Sequence, residues 1–136
     1  MRTLLLLKTD SKHIFGVQKH GKHATEALPR DVSPGDLLLI QVTALTSRTH
    51  APMVEYAMTF VRCYEDRENE SDAIWGRHWR YIIEGKDFYK LRKPFNVRRK
   101  LPRTANVNAA VKYAYVNPSD AAELERDGYL EAAPVG

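Results

Sequence analysis

The order of apolar and polar positions predicts short strands joined by turns in the first third of the chain. A continuous apolar run over residues 2–9, bounded by polar residues, predicts a strand that is covered on both faces. Weak helical periodicity predicts a short helix over residues 11–20, and Gly21 ends it. Residues 21–36 are polar and predict a loop, whose final turn signal, SPGD, directly precedes a strand over Leu37–Thr43.

The middle of the chain continues with strand-like segments. Alternating positions predict a long half-buried strand over residues 52–64, and a charged surface loop follows it over residues 65–72. A turn is expected at Gly85, between two of the strands that come next. These further short strands are expected at residues 79–83, 94–97 and 111–116.

The last part of the pattern predicts a helix with clear boundaries. Asn117 can cap the helix, Pro118 suits its first position and Gly128 stops it. Together the elements predict an α+β protein whose curved sheet or closed β-barrel has about five to seven strands, with short flanking helices. The chain has 136 residues, so we expect a single domain over residues 1–136, with a frayed tail over residues 131–136.

Composition narrows the class of protein. The chain is 43% hydrophobic and 28% charged, which is typical of a folded globular protein and not of a disordered one. Its one cysteine, Cys63, excludes an intramolecular disulfide and fits a reducing compartment. The apolar run at residues 4–7 is too short for a signal-peptide core or a membrane span, and no later run approaches that length. We therefore expect a cytoplasmic protein that does not enter a membrane.

Charge is distributed unevenly along the chain. Residues 75–103, called here the basic segment, carry ten lysines and arginines against only Glu84 and Asp87, although the formal net charge of the whole chain is only +4. Tryptophan, tyrosine and phenylalanine side chains are spaced through the same segment. This combination suits a polyanion whose bases stack on aromatic rings, so it favours a nucleic acid, DNA or RNA, as the partner. A solvated basic loop around ordinary core aromatics would give the same pattern.

Two stretches carry a resemblance to the PUA-like superfamily, which includes the EVE, YTH and ASCH domains. The first is PGDLLLI at residues 34–40, which is similar to the glycine-aspartate turn and apolar strand of these barrels. The second is IWGRHWRY at residues 74–81, followed by KPF at residues 93–95, which resembles the EVE pattern of an aromatic loop, a strand and a later PF segment. The resemblance extends over most of residues 1–130.

The EVE and YTH branch implies a domain that binds nucleic acid and holds a modified or flipped base in an aromatic pocket. The resemblance places Trp75, Trp79 and Tyr81 in that pocket, with Phe15 in the place of a tryptophan that these families often have near the start of the chain. Basic residues would contact the nucleic-acid backbone, and the candidates are Lys19, Lys22, Arg77, Arg80, Arg98, Arg99, Lys100 and Arg103. A nuclease or translocase partner could act with such a domain in trans.

The ASCH branch implies an alternative, a hydrolase that acts on an acylated nucleoside. Lys22 and Thr25 keep part of the ASCH loop pattern, whereas Ala27 stands where that pattern has an arginine. Thr25 would need a lysine with a lowered pKa as its base. Glu55 or Glu84 could be the third member, and the sequence does not choose between them. Lys22, Thr25 and Glu55 or Glu84 are therefore the candidate catalytic residues, but the sequence favours a nucleic-acid-binding module over a hydrolase.

Histidines offer no metal site in this sequence. The five histidines show no recognised zinc spacing, and there is no glycine-rich phosphate loop, nucleophile elbow or pair of carboxylates with catalytic spacing. We therefore expect neither a metal nor a cofactor.

Overall fold

The computed structural model describes residues 2–10, 13–43, 53–105 and 113–134. Within these residues it contains one mixed sheet with four short helices against it. The strands are β1 Leu4–Asp10, β2 Lys22–Thr25, β3 Leu37–Thr43, β4 Met53–Glu65, β5 Tyr81–Asn96 and β6 Tyr113–Tyr115. The helices are α1 Ile14–His20, α2 Glu70–Trp75, α3 Val97–Lys100 and α4 Pro118–Arg126.

The sheet is a strongly curled half-barrel with the strand order β2-β5-β4-β3-β1-β6. Strand β1 pairs in parallel with β3, and the other neighbours are antiparallel. The long β4–β5 pair has three register shifts, and shifts of this kind bend a sheet. The prediction of an α+β protein with a curved sheet of five to seven strands is confirmed.

The apolar run of β1 is buried on both faces of the sheet, as its pattern predicts. Leu4 and Leu6 pack into a core with the inner face of α4, whereas Leu5 and Leu7 pack into a second core with Val17 of α1. The two cores hold α1 and α4 on opposite sides of the same strand. In the part of the chain that the structure describes, no helix is long and apolar enough to cross a bilayer.

Several local predictions are correct within three residues. Strands β1, β3 and β4 and helix α1 lie where the pattern places them, although residues 11, 12 and 52 are outside the described ranges. Gly21 ends α1 with a left-handed conformation at φ 64°. Helix α4 begins after Asn117, whose side-chain oxygen accepts a hydrogen bond from the Ser119 amide at 2.9 Å. The predicted closing strand is seen as β6, and residues 111 and 112 lie outside the description.

Three predictions are wrong. The expected loop over residues 21–36 contains β2, which pairs with the start of β5. The expected charged loop over residues 65–72 contains the first half of α2. The predicted turn at Gly85 is absent, because β5 runs without interruption from Tyr81 to Asn96 and the polypeptide then enters α3.

The C-terminal tail, predicted to fray from residue 131, bonds to the edge of β5 over residues 131–133. Leu91 and Ala132 form an antiparallel bridge. The Arg92 amide donates to the Glu131 carbonyl at 2.9 Å, and the Ala133 amide donates to the Lys90 carbonyl at 2.8 Å. The tail therefore covers part of an edge that β2 leaves open.

Candidate functional site

A recess opens where the end of β1, helix α1, strand β2 and the segment around α2 meet. Its volume is about 270 Å³ when the solvent in its open mouth is counted. The recess is lined by Thr9 and Asp10, His13 and Val17, His23 and Ala24, and Trp75 and Trp79.

Two indole rings form one corner of the recess. The ring centroids of Trp75 and Trp79 are 6.0 Å apart and their planes are 82° to each other. Trp79 is buried and Trp75 is partly buried. The His13 ring also meets the Trp79 ring edge to face, with centroids 5.8 Å apart. A flat ligand stacked on one of these rings would present its edge to another.

Helix α1 fixes the position of Trp75. The indole Nε1–H donates a hydrogen bond to the His13 carbonyl at 3.1 Å. Gly16 faces the same indole, and a Cβ built at this glycine would lie 2.4 Å from Nε1 and 2.7 Å from Cγ2 of Ile74. The absence of a side chain at Gly16 is therefore what lets α1 approach α2 closely enough to hold the ring.

A buried carboxylate fixes the backbone at Trp79. Asp66 accepts hydrogen bonds from the Glu70 amide at 2.8 Å and from the Ser71 amide at 2.9 Å, and the Ser71 hydroxyl also donates to it. The Ser71 hydroxyl oxygen in turn accepts a hydrogen bond from the Trp79 amide at 2.9 Å. Burial acts to raise the pKa of the Asp66 carboxyl, but the hydrogen bonds from Ser71 and Glu70 outweigh it and the pKa is lowered. Asp66 thus connects the start of α2 to the tryptophan corner.

Polar side chains lie beside the tryptophan rings of the recess. One oxygen of Asp10 is 2.7 Å from Nδ1 of His13, and the other accepts a hydrogen bond from the His13 amide at 2.8 Å. This pair holds the imidazole ring at the start of α1, in contact with Trp79. The recess therefore combines stacking surfaces with hydrogen-bonding groups that can meet the edge of a planar ligand.

Arg77 of the basic segment contacts this corner, and Arg80 contacts the neighbouring Tyr81. The Arg77 guanidinium is 4.6 Å from the centroid of the Trp79 ring, which is a cation–π distance. The Arg80 guanidinium is 5.1 Å from the centroid of Tyr81. Both arginines are exposed, so the recess has cationic groups next to it that are open to solvent.

The other two aromatic residues predicted for the pocket do not line the recess. Tyr81 begins β5, opposite Thr25 of β2. Phe15 lies on α1 with 67% of its surface exposed, and the Lys19 ammonium is 5.6 Å from its ring centroid. His13 supplies the third ring that the sequence interpretation sought in Phe15.

The other cations of the basic segment lie along β5 and beyond its far end. Arg98, Arg99 and Lys100 form α3, which follows the last residue of that strand. A strand of 16 residues has a contour of about 50 Å, which the curl of the sheet shortens through space. Arg103 is already paired with Asp120 at 3.0 Å and Glu123 at 3.3 Å, and these partners raise its pKa. The cations of the basic segment are therefore spread along β5 and at both of its ends.

The alternative catalytic residues do not converge. Lys22 pairs with Glu70, and this hydrogen bond raises the pKa of the lysine, whereas a general base needs a lowered one. Thr25 is buried and accepts a hydrogen bond from the Ala27 amide at 3.3 Å. Glu84 lies opposite Lys22 in the β2–β5 pair, but its carboxylate forms an ion pair with Arg62 of β4 at 3.3 Å. Glu55 is about seven residues further along β4, or roughly 23 Å of strand.

The sequence analysis did not identify the polar residues that line one side of the recess. Thr9, Asp10 and His13 were assigned only to the end of a strand and the start of a helix. A local signal did exist, because polar residues follow a fully buried strand directly at its carboxyl end. Nothing in the sequence connected them to tryptophans about sixty residues later.

Comparison with known proteins shows a likeness of fold. No family model matches the chain, and no curated protein matches it in sequence. A hypothetical protein from Leishmania major is similar in structure at 18% identity and a TM-score of 0.63, over 94% of this chain and 95% of that one. The YTH domain of the Zygosaccharomyces rouxii MRB1 protein, solved in complex with N6-methyladenosine RNA, is similar at 12% identity and a TM-score of 0.55, over 99% and 89%.

A third similar structure is a Pseudomonas putida protein, at 12% identity and a TM-score of 0.51, over 90% of this chain and 97% of that one. All three matches span nearly the whole of both chains, so they concern the complete curled sheet and its helices. The chain therefore shares its overall fold with these structures, one of which is a YTH domain.

Proposed function

We propose that this protein binds nucleic acid and takes a single base, modified or flipped out of its strand, into the recess. The observation that carries the proposal is the corner of Trp75 and Trp79, set beside the Asp10–His13 pair in the same recess. A flipped base needs aromatic surfaces for stacking and a few polar groups at its edge. The recess supplies both.

Each group has a distinct role in this proposal. Trp75 and Trp79 provide stacking surface, which is worth about 1–3 kcal/mol per base. Asp10 and His13 meet the edge of the base and select among bases. Arg77 and Arg80 contact the flanking phosphates, which position the strand without reading its sequence.

The similar YTH domain supports the class of ligand, because that protein was solved with RNA that carries N6-methyladenosine. The hydrolase alternative is not carried forward, because the pKa of Lys22 is raised rather than lowered. The single cysteine favours a reducing compartment, so we place the protein in the cytoplasm. A nuclease or translocase acting in trans would be a suitable partner for a reader without catalysis of its own.

The proposal is tested by measuring the affinity for short DNA and RNA strands, with and without N6-methyladenine, by fluorescence anisotropy. Trp75→Ala should weaken binding of the preferred base about five- to a hundredfold, which corresponds to the loss of one stacking surface. Trp79 is 4% exposed and also packs into a core, so its alanine variant will lose stability as well. Trp79→Phe is therefore the better second variant.

Phe15→Ala provides the matched control, because it removes an exposed aromatic ring from the same region without touching the recess. It should leave base preference unchanged. Melting temperatures recorded for all variants separate a loss of binding from a loss of fold. If Trp75→Ala keeps the full preference between bases and only lowers the melting temperature, Trp75 is a packing residue and the proposal is wrong.

A further inference from the structure

A second cleft lies at the opposite end of β5 from the recess, between α3 and α4. It encloses about 370 Å³ including its mouth. We call it the α3–α4 cleft, and the residues that matter for its chemistry are Arg99, Lys100, Glu123, Asp127 and Tyr129. None of these residues lines the recess, so this is a separate feature of the surface.

The α3 side of the cleft is strongly cationic. Residues 93–103 contain five lysines and arginines and no aspartate or glutamate. Arg99 is exposed, and no acidic side chain forms an ion pair with it among the described residues. A cationic group in this condition attracts an anion from solution without first breaking an internal pair.

The acidic side chains across the cleft are already paired with arginines. The Arg103 guanidinium bonds to Asp120 and Glu123, and Arg126 bonds to Asp127 at 3.1 Å. Arg126, together with the more distant Lys100 and Lys93, lowers the pKa of the Asp127 carboxyl. Three carboxylates thus share two arginines, so they offset only part of the charge that α3 presents to solvent.

An aromatic ring holds two of the ammonium groups at the cleft. The Nζ atoms of Lys93 and Lys100 are 5.0 Å and 4.7 Å from the centroid of Tyr129. The Tyr129 ring itself packs edge to face on Phe95 of the core, with centroids 5.8 Å apart. Lys93 also donates to the Asp127 carbonyl at 2.9 Å. The positive groups are thus placed by the fold before any ligand arrives.

We propose that the α3–α4 cleft is a second phosphate-binding site, which holds the backbone of the same nucleic-acid strand whose base enters the recess. This inference rests on the proposed function for the identity of the ligand. It adds that the strand must be long enough to reach both ends of β5. A stacked strand advances about 3.4 Å per nucleotide, so four nucleotides span about 14 Å and 24 nucleotides span about 80 Å.

The test compares single strands of four and 24 nucleotides, each with one preferred base. Arg99→Gln removes one phosphate contact, which should lower the salt dependence of log affinity by about 0.7 and weaken binding of the 24-mer about fivefold at 0.1 M salt. Binding of the four-nucleotide strand should be unchanged. Lys100→Gln should behave in the same way. The matched control is Arg30→Gln, which removes an exposed arginine from the loop between β2 and β3 and should affect neither strand.

Two results would overturn the inference. One is an unchanged affinity of Arg99→Gln and Lys100→Gln for the 24-mer, and the other is an equal loss for both strand lengths. The proposed function fails by a different result, which is an unchanged base preference in Trp75→Ala. Arg99 is exposed and the Asn96 side chain caps α3 through backbone amides, so the arginine variant keeps its fold.

Discussion

Replacing Gly16 with alanine should damage the recess without adding or removing any group that a ligand touches. The new methyl carbon would lie 2.4 Å from Nε1 and 2.9 Å from Cε2 of Trp75, so either the ring or the helix must move. Overpacking of this kind costs about 1–3 kcal/mol, and loss of the bond from Trp75 to the His13 carbonyl costs about 1 kcal/mol more. The higher helix propensity of alanine stabilises the fold by about 1 kcal/mol. The net loss in the free energy of unfolding is therefore about 2 kcal/mol.

For a chain of this size, that loss lowers the melting temperature by about 8 °C. Near-ultraviolet circular dichroism should report the displaced indole, and the affinity for the preferred base should fall with it. Gln18→Ala, at an exposed position of the same helix, is the control for helix propensity.

The cause of the loss can be isolated with a second substitution. Trp75→Phe removes both indole atoms that the methyl group would strike. Gly16→Ala should therefore cost at least 1 kcal/mol less in that background than in the wild type. A Gly16→Ala protein that melts within a degree or two of wild type, with an unchanged circular dichroism spectrum, would refute the reasoning.

Three further outcomes are expected. Because the pKa of Asp66 is lowered, its carboxylate stabilises the fold above the ordinary pKa of 3.8, and this contribution is lost as pH falls through the lowered value. Asp66→Asn should therefore be less stable than wild type from pH 7 to 5, and the difference in melting temperature should shrink below about pH 4. A difference that stays constant with pH would argue against this role. Removal of the residues after Leu130 should speed amide hydrogen exchange at Arg92, whose amide bonds to Glu131, and unchanged exchange would show that the tail does not protect the edge. Because the pKa of Lys22 is raised, chromatography should find no turnover of acylated cytidine, whereas product that disappears in Lys22→Ala would restore the hydrolase alternative.

The sequence predicted two kinds of element well: those whose ends are set by residues next to them in the chain, and strands whose side chains are apolar on both faces. Strand β1 is an uninterrupted run of leucines, and Asn117 and Pro118 define the start of α4 by capping chemistry alone. Strand β2 is short and polar and is held by its pairing with β5. Helix α2 begins in a run of charged residues because Asp66 is buried and accepts its first amides. Both depend on contacts that a local pattern does not contain.

Gly85 shows how one residue type can be misread. It was interpreted as a turn, yet it lies within β5, where a Cβ would be 2.6 Å from the sulfur of Met58. Its amide donates to the Gly21 carbonyl at 2.7 Å. The glycine therefore permits close packing inside the sheet, which is the other common reason for a glycine in a strand.

Only the tryptophan side of the candidate site could be predicted from the sequence. The segment of aromatic and basic residues identified Trp75, Trp79 and the arginines beside them, because these are neighbours in sequence. The residues that complete the recess come from the end of β1 and from α1, as the hydrogen bond between Trp75 and His13 across 62 positions illustrates. The fold brings them together, and only the three-dimensional structure could show it.

The position of β1 between β3 and β6 has a consequence for the newborn polypeptide. Leu5 is paired with Leu38 on one side and with Tyr115, about 110 positions later, on the other. At a synthesis rate of about 5–20 residues per second, β1 leaves the ribosome roughly 5–20 s before β6 and α4 can cover it. During that interval four consecutive leucines have neither their last strand nor their covering helix. Until then these leucines form exposed apolar surface on an incompletely paired strand, and these are the features that make a growing chain prone to aggregate.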